Sequence, residues 1–251
     1  MSQDRLRHAP WFFPDASREI TRHAVQEFAS RRKETTVPPF DVILFDVGGV
    51  LLSNGWDRGE RAAVAEHFGL DLEALETRNA EVMAAWDRSE INRNQYLDAT
   101  VFYEPRSFSH DEFFESMLSQ SRLLPDGALD ILREVAASNR FLVGALNNEP
   151  REPNEFRFGK YELRRYFKVA FSSCYMGLRK PEPAMFRRAL DILGCPPNRV
   201  LFIDDREKNV TGGKAAGMKA ILFRGADALR AELEEMGVLS PEPNSQRRRL
   251  P

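Results

Sequence analysis

The sequence predicts an α/β fold in which a doubly wound parallel sheet carries an inserted group of helices. Short apolar runs, typical of strands buried on both faces of a sheet, lie at residues 42–45, 141–146, 169–171, 200–203 and 220–223. Helical patterns separate several of these runs, at residues 127–137, 183–193 and 209–216. Strands that alternate with helices indicate a parallel sheet joined by crossover helices. A chain of 251 residues is long enough to bury such a sheet.

Residues 54–123 interrupt this alternation. They contain helical patterns and no strong strand, with the patterns at residues 60–68, 72–86, 95–102 and 111–118. A helical insertion after the first strand can form a cap that shields the strand ends from water and selects a substrate, whereas a plain helical bundle would add only stability. We therefore expect a core formed by residues 40–53 and 124–240, with a helical cap at residues 54–123.

Two terminal segments lie outside this core. Residues 1–39 are expected to form an N-terminal extension with one helix at about residues 16–32, where Ile20, Ala24, Val25 and Phe28 fall near helical spacing. Residues 241–251 are expected to form a flexible tail.

Composition limits the classes of partner. The chain has 36 basic and 38 acidic residues, so its net charge of −2 provides no electrostatic reason to expect nucleic acid or a membrane surface as a partner. No apolar stretch approaches the roughly 20 residues needed to cross a bilayer, and no secretory leader is apparent. The two cysteines have no metal-ligand spacing and fit a reducing compartment. We expect a cytoplasmic protein.

Polar residues end the apolar runs. Asp46 follows the first run, Asn147 follows the second, and the pair Asp204 and Asp205 follows the fourth. Active residues of a doubly wound sheet lie at the carboxyl ends of its strands, so these side chains are expected to converge. Three converging carboxylates repel one another unless a cation neutralises them. A magnesium ion, together with Lys180 from the loop after the third run, would supply that charge.

Three motifs resemble those of the haloacid dehalogenase-like (HAD) superfamily. They are Phe-Asp-Val-Gly-Gly-Val-Leu at residues 45–51, Gly-Leu-Arg-Lys-Pro-Glu-Pro at 177–183 and Phe-Ile-Asp-Asp-Arg-Glu-Lys-Asn at 202–209. The resemblance covers about residues 40–225 and is closest to the branch that contains sugar-phosphate phosphatases with a helical cap. It implies a Rossmann-like core and a phosphohydrolase that acts on a small phosphorylated metabolite.

The resemblance also implies a role for each motif. Asp46 would attack phosphorus to form an aspartyl-phosphate, which water then hydrolyses. Lys180 would hold Asp46 ionised and place a positive charge beside the transferring oxygens. Magnesium would be held by the carboxylates of Asp46, Asp204 and Asp205 and by the backbone carbonyl of Gly48.

The substrate side of the site departs from the family pattern. Asn147 stands where Ser or Thr usually donates a hydrogen bond to a phosphate oxygen, and Asn148 beside it could share that contact. Both are predicted to bind the substrate. A homodimer is one assembly that would suit such an enzyme, although no residue pattern specifies the oligomeric state.

Gly48 is a second departure, because the family usually has an Asp there that acts as general acid and base. Such assistance is typically worth about a hundred- to ten-thousand-fold, so we expect better turnover of esters with good leaving groups, such as sugar 1-phosphates, aryl phosphates and acyl phosphates. Two alternatives stay open. One is a weakly active or inert member that binds a phosphorylated ligand or a protein. The other is a dehalogenase, against which the Asp204 and Asp205 pair argues.

Overall fold

The structure is a computed structural model that describes residues 39–241. Residues 1–38 and 242–251 lie outside the described residues. The expected helix at residues 16–32 and nearly all of the expected tail therefore cannot be compared with it.

The core is a five-stranded sheet in which every neighbouring pair of strands is parallel, in the order β3-β2-β1-β4-β5. The strands are β1 (Val42–Phe45), β2 (Leu142–Asn147), β3 (Val169–Ser172), β4 (Val200–Asp204) and β5 (Lys219–Leu222). This confirms the predicted α/β class with a doubly wound parallel sheet. Phe45 pairs with Ala145 on one side and Ile203 on the other, so β1, β2 and β4 end at nearly the same level.

Ten α-helices accompany the sheet within residues 39–241. The first four form one block after β1: α1 (Arg58–Phe68), α2 (Leu72–Asp87), α3 (Arg93–Thr100) and α4 (His110–Ser119). The others are α5 (Leu129–Ala137), α6 (Arg151–Lys160), α7 (Ser173–Met176), α8 (Pro183–Leu193), α9 (Glu207–Ala215) and α10 (Ala226–Glu235).

The sheet is buried on both faces, as the continuous apolar runs predict. Along β1, Ile43 and Phe45 join one apolar cluster with residues of α5 and α10. Val42 and Leu44 point to the opposite face and join a second cluster with residues of α8 and α9. Because side chains alternate along a strand, the short run at residues 42–45 contributes to two separate hydrophobic layers.

Sequence patterns did not reveal α6 and α10. Helix α6 contains Pro153 and has few apolar residues, so its helical period is weak. Pro153 lies in the first turn, where the backbone N–H groups have no partner within the helix, and proline therefore does not break it.

The helical block, residues 56–119, has an apolar core of its own. Trp86 stacks on Tyr96 with ring centroids 4.0 Å apart, and Phe113 and Met117 belong to the same buried cluster. Inside this core Trp56 Nε1 donates to Tyr96 Oη at 2.6 Å, and Tyr96 Oη donates to Asn79 Oδ1 at 2.7 Å. Side-chain and backbone hydrogen bonds cap the start of α1, α3 and α4 in capping boxes.

Two ion pairs join the end of α2 to the loop before α8. Asp87 Oδ2 lies 3.0 Å from Arg179 Nη2, and the guanidinium of Arg88 contacts the carboxylate of Glu182. The block is thus tied directly to the loop that carries Lys180. Among residues 39–241, none of the helices combines the length and the apolar character that crossing a bilayer requires.

Candidate active site

Three carboxylates meet at the carboxyl end of the sheet. Asp46 directly follows β1, Asp204 ends β4, and Asp205 is the next residue. One oxygen of each lies within 4.8 Å of the others. The alignment of β1 and β4 produces this convergence, although the residues are about 160 positions apart in the chain.

Lys180 lies between two of these carboxylates. Its Nζ is 3.0 Å from Asp46 Oδ2 and 2.6 Å from Asp204 Oδ2, and its side chain is only 1% exposed. Burial alone would lower the pKa of Lys180, but the charges of Asp46 and Asp204 outweigh it and raise the pKa above the ordinary value. The lysine is therefore held as a cation.

One ammonium group does not balance three carboxylates. Burial raises the pKa of Asp46 to about 8, against the lowering effect of Lys180 and with further increases from Asp204 and Asp205. Burial and the charge of Asp204 likewise raise the pKa of Asp205. The protein groups alone leave this cluster short of positive charge.

The remaining contacts hold each carboxylate in place. The backbone N–H of Val47 donates to Asp46 Oδ1 at 2.7 Å. Asn209 Nδ2 donates to both oxygens of Asp204, at 2.9 and 3.1 Å, and the backbone N–H of Arg206 donates to Asp204 Oδ1. Asp204 is therefore fully engaged, and Asn209 fixes the loop that carries it.

Asp205 is held differently. Its Oδ1 is buried and has no hydrogen-bond partner within the described chain. A Cβ added to Gly49 would lie 2.2 Å from Asp205 Oδ2, and Gly49 has a φ of +76°. Glycine at position 49 thus permits the turn after β1 to pass against the Asp205 carboxylate.

The donor set fits magnesium. It consists of hard carboxylate oxygens around one point, and the buried Asp205 Oδ1 still lacks a partner among the described residues. Gly48, the predicted carbonyl ligand, lines the same cavity as Asp46.

The two asparagines after β2 have different surroundings. Asn147 Nδ2 donates to Glu149 and Asn154, and its Oδ1 accepts from Ser172, so every polar atom of that side chain is used. Asn147 does not line the cavity, and its side chain has no donor left for a phosphate oxygen. Substrate binding by Asn147 stays a prediction, and these bonds argue against it: spacing placed the residue at a strand end but could not show that its amide points into the core.

Asn148 does line the cavity. Its Oδ1 accepts from the backbone N–H of Lys180 at 2.8 Å, and its Nδ2 donates to the Lys180 carbonyl at 2.8 Å. These bonds fix the backbone of the lysine loop and leave one amide hydrogen unused. Substrate binding by Asn148 stays a prediction.

A cavity of about 270 Å³ is lined by Asp46 and Lys180. Sequence reasoning missed several polar residues of its wall, among them Asn54, Glu149, Arg157 and Arg206. Glu149 directly follows the asparagine pair and could have been found from that position. Arg157 lies inside the unpredicted α6, and no sequence signal marks it.

A buried ion pair forms part of that wall. Arg157 Nη1 lies 2.6 Å from Glu149 Oε1, with both side chains more than nine-tenths buried, and Arg157 Nη2 donates to the Ser53 carbonyl at 2.5 Å. Arg157 therefore connects α6 to the chain segment that leaves the core for the helical block. Burial raises the pKa of Glu149, against the effect of Arg157.

Comparisons with known proteins agree with this geometry. The sequence profile of haloacid dehalogenase-like hydrolases matches residues 40–217. A flavin mononucleotide hydrolase of Arabidopsis thaliana is 29% identical over 78% of this chain and 78% of its own length. A phosphatase of Mycobacterium tuberculosis is 27% identical over 78% of this chain and 95% of its own length. A bifunctional epoxide hydrolase of Sus scrofa is 27% identical over 77% of this chain, which spans only 38% of that protein.

A solved structure shows the same fold. The HAD family enzyme of Bacteroides thetaiotaomicron, solved in complex with magnesium and inorganic phosphate, superimposes with a TM-score of 0.60 at 19% identity. The match covers 74% of this chain and 95% of that one.

Proposed function

Because the chain belongs to the haloacid dehalogenase-like hydrolase family, we propose that it is a magnesium-dependent phosphatase of a small phosphorylated metabolite. The observation that carries the proposal is the gathering of Asp46, Asp204 and Asp205 beside a buried lysine, with Asp46 and Lys180 in the wall of a cavity. Relatives named as a phosphatase and a flavin mononucleotide hydrolase support phosphate esters as the substrate class.

Asp46 is the proposed nucleophile. The bond from Val47 N–H orients its carboxylate, and Lys180 stabilises the ionised form from the other oxygen. The attack forms an aspartyl-phosphate and breaks the bond to the leaving oxygen, and water then releases phosphate from Asp46. Lys180 also faces the place where charge accumulates on the transferring group.

Asp46, Asp205, Asp204 and the Gly48 carbonyl are the proposed magnesium ligands. When bound, the ion would supply the positive charge that the cluster lacks and would orient the phosphate. Asp204 is already tied to Lys180 and Asn209, so it would act mainly by holding its neighbours in position.

The helical block is the proposed cap. Trp56, Met83, Met117 and Asp87 line the cavity from that side, while Asp46 and Lys180 line it from the sheet. A reaction at Asp46 would thus proceed between the two regions, with water largely excluded. We propose that side chains of the cap choose the leaving group, while the sheet performs the transfer.

The test is phosphate release from a panel of esters, with magnesium and with a chelator, by the wild type and by Asp46→Asn. We expect magnesium-dependent release that falls by about a thousandfold or more in the variant, since the nucleophile is lost. Asp98→Asn in α3, an exposed carboxylate of the cap, is the matched control and should retain activity.

Two other results would contradict the proposal. Release by Asp46→Asn at the wild-type rate would exclude Asp46 as nucleophile. If the wild type cleaved no phosphate ester, the binding protein would become the better explanation, and halide release from a 2-haloacid without magnesium would instead indicate a dehalogenase.

A further inference from the structure

The space beside Gly48 is occupied by one residue. A Cβ added to Gly48 would meet Asn54 as its nearest neighbour, with Asn54 Oδ1 at 3.4 Å, Cα at 3.5 Å and the carbonyl oxygen at 3.7 Å. Gly48 does not have a positive φ, so its backbone would accept a side chain. Any side chain at position 48 would therefore project toward the Asn54 amide.

Asn54 is held there from two directions. Arg157 Nη1 donates to its backbone carbonyl and Arg206 Nη2 donates to its Oδ1, each at 3.5 Å. Residues from α6 and from the loop before α9 thus hold Asn54 through its backbone carbonyl and its side-chain oxygen.

Asn54 belongs to the wall of the proposed reaction site. Asn54, Gly48 and Asp46 line the same cavity, and position 48 is only two residues from the proposed nucleophile. The Oδ1 of Asn54 accepts from Arg206, and its Nδ2 carries two hydrogens that can be donated to a ligand.

We infer that Asn54 binds the leaving-group oxygen of the phosphate ester and replaces, by hydrogen bonding alone, the carboxyl group that position 48 lacks. This inference rests on the proposed phosphatase function. As the bond from Asp46 to phosphorus forms, the bond from phosphorus to the leaving oxygen breaks and its electron pair stays on that oxygen. The oxygen accepts a hydrogen bond from Asn54 Nδ2 and takes its proton from water.

The assignment has a specific kinetic consequence. A hydrogen bond to the leaving oxygen matters most when much negative charge develops there, as with an alkyl ester, and matters little for a good leaving group. A residue that merely shaped the turn before Gly55 would affect both kinds of ester equally.

The experiment compares kcat/KM for glycerol phosphate and p-nitrophenyl phosphate in the wild type and in Asn54→Ala. We expect a loss of about a hundredfold for glycerol phosphate, as for removal of one preorganised donor, and of less than about threefold for p-nitrophenyl phosphate. Asn92→Ala, which removes a capping amide of α3, is the matched control and should change neither ratio.

Equal losses for the two esters, or no loss for either, would overturn the inference while leaving the phosphatase proposal intact. A wild type that cleaves neither ester would instead count against the phosphatase proposal itself. Because the readout is a ratio between two substrates of one protein, partial unfolding of the variant lowers both rates together and cannot imitate the expected selectivity.

A double variant tests whether side chains at positions 48 and 54 act at the same place. Gly48→Asp combined with Asn54→Ala places a carboxyl group in the space that truncation of Asn54 vacates. We expect it to raise kcat/KM for glycerol phosphate at least about tenfold over Asn54→Ala, because a general acid then replaces the lost donor. An increase of the same size for p-nitrophenyl phosphate, or no increase at all, would contradict a common role for the two positions.

Discussion

Two buried polar clusters of this molecule differ in the kind of partner that their polar groups have. In the helical block, the indole of Trp56, the hydroxyl of Tyr96 and the amide of Asn79 form a neutral chain of short hydrogen bonds. At the strand ends, three carboxylates share one buried lysine, and Asp205 Oδ1 has no partner within the described residues. The neutral chain has partners for its polar groups, whereas one ammonium group faces three carboxylates in the charged cluster.

The largest effect is expected from removing the cation of the charged cluster. Lys180→Met leaves Asp46 and Asp204 buried without their partner, so the free energy of unfolding should fall by about 3–5 kcal/mol. Phosphate release should fall at least about a hundredfold. Urea denaturation and an ester assay measure the two effects, and the exposed Lys214→Met in α9 serves as control. Unchanged stability would show that the carboxylates do not depend on this lysine.

Glycines with positive φ in each region provide a matched pair. Gly49→Ala places a methyl group 2.2 Å from Asp205 Oδ2, whereas Gly69→Ala, at the end of α1, meets no atom within 4 Å. Both changes should cost about 1–3 kcal/mol of backbone strain. We expect added magnesium to raise the melting temperature of the wild type, and only Gly49→Ala should abolish that rise. If both variants lost the rise in melting temperature, that rise would not depend on the position of Asp205.

The neutral chain should affect stability without affecting the chemistry. Tyr96→Phe leaves the buried Trp56 Nε1 and Asn79 Oδ1 without their shared partner, so the free energy of unfolding should fall by about 1–3 kcal/mol. The kcat for a good substrate should change little. Tyr103→Phe, at a position where the residue is 40% exposed, is the control. A large fall in kcat for Tyr96→Phe alone would mean that this chain also shapes the reaction site.

The smallest net effect on stability is expected at the ion pair between Asp87 and Arg179, which joins the helical block to the loop that carries Lys180. Burial, opposed by Arg179, raises the pKa of Asp87 to about 7. The folded protein then binds more protons than the unfolded chain, and this contribution to stability falls as the pH rises from about 4 through about 7. Asp87→Asn removes the cost of ionising a buried carboxyl group and also removes its attraction to Arg179. At pH 8 these two effects on the free energy of unfolding therefore partly cancel.

The measurement is the change in the free energy of unfolding between pH 5 and pH 8. It should be smaller for Asp87→Asn than for the wild type, because the variant lacks the carboxyl group that must ionise in a buried place. An identical change in both proteins would show that Asp87 does not titrate in this range.

Much of the charged cluster could be predicted from the sequence. Asp46, Asp204 and Asp205 follow apolar runs, and parallel strands bring their carboxyl ends to one edge. The helical block was equally predictable, because α1 to α4 repeat apolar residues at helical spacing. The direction of a side chain could not be predicted in this way. Asn147 ends a strand as expected, yet its amide points into the core toward Asn154 and Ser172.

The contacts of Arg157 and Asn54 were even harder to predict from the sequence. Arg157 lies on α6, whose helical period is weak, and its partner Glu149 is found only when that helix is docked. Asn54 could be singled out only because it lies close to Gly48 in the fold, and no sequence motif links the two residues.

The class of the fold, the alternation of helices and strands, and the acidic residues at the strand ends follow from the sequence, because they depend on local periodicity and on the polarity of strand ends. Which polar groups face the cavity, and which are used up in the core, could be known only from the folded structure. That choice depends on how separate elements pack, since a hydrogen bond or ion pair between distant residues exists only at one relative placement of the two.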